Sequence, residues 1–78
     1  MTHAPPSLAF LRPGPAGLAL AARRPSGPIA IFVSDWDDLD ATRCAIGLAG
    51  QNARIKVHHI DAATPAVLAR FSHIHAAA

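Results

Sequence analysis

Four of the five acidic residues of this 78-residue chain fall in Asp35-Trp36-Asp37-Asp38-Leu39-Asp40, directly after the apolar run Ile29-Ala30-Ile31-Phe32-Val33. Carboxylate oxygens are ligands for hard cations, so Asp35 and Asp37 could present a pair of them to Mg²⁺ at a strand end. In open α/β sheets the carboxyl ends of strands are where ligands bind, which makes this the first place to look for chemistry. The structural alternative is an acidic helix N-terminus, favoured by the helix dipole by about 0.3–1 kcal/mol per charge. A lone thiol, Cys44, follows Asp40 by about one helical turn, and acids upstream raise rather than lower a thiol's pKa, so Cys44 is expected to fill the core. Of the five histidines, His58 and His59 are adjacent on an expected strand and point to opposite faces. His73 and His75 could share a face, joined by His59 if their segments pair, but no His or Cys spacing matches a closed zinc site.

The elements that would carry these residues divide at Pro28. Residues 1–27 are rich in Pro, Gly and Ala and contain no acid, and they are expected to form a flexible arm with at most a short helix over 17–24. From residue 28 the pattern becomes regular. Ile29–Val33 is apolar at every position, as in a central parallel strand covered on both faces. A helix capped by Asp37 or Asp38 runs to about Ala49, with Ala41, Cys44, Ala45 and Leu48 on one face, and Gly50 with Asn52 supplies its stop. A second strand over 54–60 alternates Ile55, Val57 and His59 against Arg54, Lys56 and His58, as near a sheet edge. Thr64 caps a last helix with Pro65 at its first position and Val67, Leu68 and Phe71 turned inward. Ile74 to Ala78 looks like the approach to a further strand. The predicted fold class is α/β, a truncated βαβα core behind a flexible Pro-rich N-terminal arm.

Composition excludes several classes. One cysteine cannot form an internal disulfide, which favours a reducing, cytoplasmic setting. Arg12, Arg23 and Arg24 break the only candidate for a membrane span. The acid-free N-terminus has some likeness to an organelle transit peptide, but a mobile Pro-rich arm or a loosely docked helix is the preferred reading. A net charge of +2 with scattered basic residues gives no nucleic-acid footprint, and no cofactor is implied.

Phe32-Val33-Ser34-Asp35-Trp36, and Ile60-Asp61 followed by Pro65, Leu68-Ala69-Arg70-Phe71 and Ile74, resemble the first half of a thioredoxin-fold domain over residues 28–78. Trp36 stands where that family keeps a tryptophan before its Cys-x-x-Cys pair, and Asp37 and Asp40 occupy the two cysteine positions. The resemblance therefore implies a redox-silent relative, since dithiol exchange needs both thiols. Ala45 to Ala49, Val57 to Ile60 and Thr64-Pro65 are similar to the glutathione-transferase-like stringent starvation proteins. The stretch from Ile60 to Ile74 resembles the small clock proteins and the thioredoxin-like hydrogenase chaperones of the same fold. Asp35-x-Asp37 also resembles the strand-end pair of haloacid-dehalogenase-type phosphatases, without their downstream acids and lysine. Receiver domains, which cluster acids similarly, need a phospho-acceptor aspartate that is absent here.

The function expected from these residues is a non-catalytic binding or accessory role, or that of a fragment of a longer protein. Trp36 and Asp38 are the expected partner surface, and a protein partner or a homodimer through the open sheet edge is the expected assembly. The enzymatic alternatives are a thiol-disulfide oxidoreductase relative and a Mg²⁺-dependent phosphatase using Asp35 and Asp37.

Overall fold

Eight elements follow one another along the chain in the computed structural model, which describes residues 6–23, 27–34 and 39–76. Strand β1 (Leu8–Leu11) leads to helix α1 (Pro15–Arg23), β2 (Ile29–Val33), α2 (Leu39–Gln51) and β3 (Ile55–His59). A 3-10 turn (Ile60–Ala62), the short helix α3 (Pro65–Leu68) and β4 (His73–Ala76) complete the described residues. The four strands form one sheet in the order β3-β2-β1-β4, and every neighbouring pair is parallel. Leu8 aligns with both Ile29 and His73, Phe10 with both Ile31 and His75, and Ile31 with Val57.

The flexible arm expected over residues 1–27 is not what residues 6–23 form. Leu8-Ala9-Phe10 is buried in the middle of the sheet, between β2 and β4. Its four apolar residues satisfy both faces of a central strand, as Ile29–Val33 does, and the Pro-Gly sequence after it makes the turn rather than unravelling the segment. Pro15 opens α1, where its missing N–H costs nothing. Gly27 has φ 95°, a left-handed conformation that glycine adopts without penalty, and it turns the chain into β2. The Arg54 guanidinium donates to the Gly27 carbonyl at 3.2 Å, tying the start of β3 to that turn.

The rest follows the pattern of the sequence more closely. Ile29–Val33 is buried at all five positions. In β3, Ile55 is buried, Val57 and His59 are half-buried, and Lys56 and His58 are exposed, the alternation of an edge strand. Thr64 Oγ1 accepts from the Val67 N–H at 3.3 Å and caps α3, and Asn52 Oδ1 accepts from the Arg54 N–H at 3.1 Å beyond the end of α2. The approach to a further strand is itself a strand, β4, which pairs with β1.

Helices lie on both faces of the sheet. On one, Leu8, Phe10, Ile29, Ile31, Val33 and Ile55 pack with Leu18 and Ala21 of α1 and Ala45 of α2. On the other, Ala9, Ala30 and Phe32 meet Val67 and Leu68 of α3 and then Phe71. Small alanines on the second face let the single turn of α3 approach the sheet closely. Cys44, expected inward, is exposed, because the buried stripe of α2 centres on Ala45 with Ala41, Leu48 and Ala49 beside it. No helix among the described residues is long and apolar enough to cross a membrane.

Candidate functional site

The chain runs outward from β1 through β2 to β3 and then returns across the other face to place β4 on the far side of β1. The order therefore reverses at β1: α1 leaves its carboxyl end toward β2, while β4 lies on its other side. A crevice at such a reversal is where doubly wound sheets bind ligands.

The turn from β1 into α1 forms one wall of this crevice. Arg12 has φ 47°, a left-handed conformation rare outside glycine, and its N–H donates to the Phe32 carbonyl at 2.8 Å. That bond closes the turn against β2. Pro13 is buried, and the Gly14 carbonyl accepts the first helical bond, from the Leu18 N–H at 3.0 Å. In the first turn of α1 the N–H groups of Ala16 and Gly17 have no carbonyl of their own helix to bond, and Pro15 has no N–H to offer. Gly17 is buried, so the helix start packs closely on the sheet.

Beside the turn lies a groove of about 370 Å³, lined by Phe10, Pro13, Ala16, Gly17, Leu20 and His75 among others. The Phe10 and His75 rings stack with centroids 4.7 Å apart and an angle of 13°. Their neighbouring positions on paired strands create that stack. His75 Nε2 is enclosed and has no hydrogen-bond partner among the described residues. Ser34, buried at the end of β2, accepts at its carbonyl from Thr42 Oγ1 at 3.5 Å, which fixes the start of α2 against the same edge of the sheet.

The residues singled out from sequence are distributed unevenly. Asp35, Trp36, Asp37 and Asp38 lie outside the described residues. Asp40 is exposed in the first turn of α2, consistent with a charge placed for the helix dipole. His59 cannot join His73 and His75, because β3 and β4 are opposite edges of the sheet, about 14 Å apart across three strand spacings. No group of three metal-ligating side chains occurs among the described residues. His59 Nδ1 lies 3.3 Å from both the N–H and Oδ2 of Asp61. One nitrogen cannot accept from the first and donate to the second, and the N–H, which has only a proton to give, makes Nδ1 the acceptor.

The sequence reading missed the β1–α1 turn. The signal was present in Arg12-Pro13-Gly14-Pro15-Ala16-Gly17, whose two glycines are three residues apart after an apolar run, but the surrounding prolines made the whole segment look unstructured. No family model matches the chain, and comparisons with characterised proteins and with solved structures find no match.

Proposed function

We propose that this chain forms the nucleotide-binding half of a doubly wound α/β domain and holds a phosphate-bearing nucleotide at the carboxyl ends of β1 and β4. One observation carries the reading: four parallel strands in the order β3-β2-β1-β4 with helices on both faces. This is the order of the 3-2-1-4 portion of dinucleotide-binding Rossmann sheets. The turn agrees with it. In the G-x-G-x-x-G pattern of such sheets the second and third glycines allow the pyrophosphate and the sheet, respectively, to approach the backbone, and Gly14 and Gly17 stand at those places. Arg12 stands at the first, where its left-handed backbone makes the tight turn that a glycine would.

The residues fit a phosphate group with two departures from the pattern. Ala16 and Gly17 would hold it through N–H groups at the positive end of α1, and Pro15 withdraws a third donor. Arg12 replaces a glycine and brings a cation to the turn. Asp35, which follows Gly14 by about 20 residues in the sequence, has the sequence position from which such sheets bond a ribose hydroxyl. Titration of ¹⁵N-labelled protein with ADP-ribose tests the reading. Saturable shifts at Gly14, Ala16 and Gly17, lost in Gly17→Val, are expected; shifts that stay linear in ligand, or that occur elsewhere, would sink it.

A second reading is an accessory protein that pairs through its sheet edge. Its support is Ile74, 46% exposed on β4, whose only strand neighbour among the described residues is β1. A homodimer formed this way would dissociate on Ile74→Lys in size-exclusion chromatography. A redox-silent thioredoxin-like scaffold draws on β2-α2-β3 alone, a parallel crossover that α/β sheets share widely. The order of β1 and β4 favours the nucleotide reading over it.

A further inference from the structure

Among the described residues, the face of the sheet that carries α3 is covered by that four-residue helix together with Ile60, Ala63 and Phe71, and beside the helix opens a cleft of about 460 Å³. That volume lies within the range of small-molecule sites, roughly 300–1,000 Å³. It shares no lining residue with the groove at the β1–α1 turn.

Its walls are aromatic and cationic. Phe32, 1% exposed, is the floor. His58 stacks on it with centroids 5.2 Å apart and an angle of 27°, and the residue is exposed. Phe71 meets Phe32 edge-on at 6.3 Å and 88°. Arg70 lines the same cleft. Its position is fixed through the backbone: its carbonyl accepts from Ser7 Oγ at 3.4 Å, its N–H donates to the Val67 carbonyl at 3.1 Å, and Ser72 N–H donates to the Ser7 carbonyl at 2.8 Å. Lys56, exposed two residues before His58, projects from the same face of β3.

Neither acid among the described residues lines the cleft. Of the two acids among the described residues, Asp40 opens α2 on the opposite face, and Asp61 lies beside His59, whose side chain alternates away from His58.

We propose that this cleft binds a planar aromatic anion, with the ring between His58 and Phe71 and the anionic group at Arg70. Aromatic rings add a stacking or edge contact to the burial of apolar area, and a guanidinium matches a carboxylate in plane and charge. A neutral ring leaves Arg70 without its anion, and a saturated carboxylate loses the ring contacts.

Three probes applied to the full wild-type chain test this: 2-naphthoate, the uncharged 2-naphthalenemethanol, and cyclohexanecarboxylate. Followed by amide NMR, 2-naphthoate should give saturable shifts at His58, Arg70 and Phe71 and bind at least fivefold more tightly than either analogue. Arg70→Gln, at an exposed position, should remove the preference for naphthoate over the alcohol. The proposal is overturned if naphthoate gives no saturable shift at these residues, if the alcohol binds as well, or if Arg70→Gln keeps the preference. Should that variant lose its dispersed spectrum, the three probes on the wild type decide. Because Gly14, Ala16 and Gly17 report the nucleotide site separately, failure at one site is distinguishable from failure at the other.

Discussion

Phe10 is the residue whose removal separates a structured N-terminal segment from a mobile one. Its ring is wholly buried, packs with Leu8, Leu18 and Ile31, and stacks on His75. Truncating such a ring costs about 3–5 kcal/mol in lost transfer energy and cavity formation. For a domain of this length the total stability is on the order of 4–12 kcal/mol, taking about 0.05–0.15 kcal/mol per residue. Phe10→Ala therefore removes between a quarter of the stability and all of it. With a urea slope of about 1–1.5 kcal/mol per M, the midpoint should fall by about 2 M or more. Far-UV circular dichroism against urea measures it, with Ala22→Ser on the exposed side of α1 as the control. If Phe10→Ala shifts stability by less than about 0.5 kcal/mol, as at a free surface position, then β1 is not part of the core and the sheet order fails with it.

Three smaller perturbations probe other parts of the fold. Gly27→Ala places a Cβ at φ 95° and should destabilise by about 1 kcal/mol or more, read as a lower urea midpoint. Thr64→Ala removes the cap on α3 and should cost about 0.5–2 kcal/mol in the same assay; no change would mean that the 3.3 Å bond contributes nothing. Cys44→Ser should alter stability by less than about 0.5 kcal/mol, and the native thiol should react with a disulfide reagent at nearly the rate seen in denaturant. Slow labelling that speeds up on unfolding would place Cys44 in the core instead.

The half of the chain after Pro28 was legible because its signals agree with one another. Ile29–Val33 has a length and uniform apolarity that suit a covered strand, Thr64-Pro65 is a helix start with a mechanism, and the alternation through Ile55 to His59 has the period of a strand with one wet face. Before Pro28 the signals conflict. Leu8–Leu11 has only four residues, too few to show a period, and the prolines and glycines around it suit a tight turn as well as they suit disorder. What decides is the partner strands on either side of β1, which are distant in sequence. On α2 the expected stripe and the observed one share Ala41, Ala45 and Leu48, and a helix rotated by a few tens of degrees exchanges Cys44 for Ala49. The Gly14–Gly17 turn needed the strand before it to acquire meaning.

Backbone amide exchange across β1 tests the central claim most directly. If β1 lies between two parallel partners, the amides of Leu8 to Arg12, among them the Leu8 N–H on Pro28 and the Arg12 N–H on Phe32, should be protected to a degree comparable with Ile31 in β2. Exchange of Leu8 to Arg12 at the rate of an unstructured peptide, while Ile29 to Val33 remains protected, would contradict the sheet order and the nucleotide site built on it.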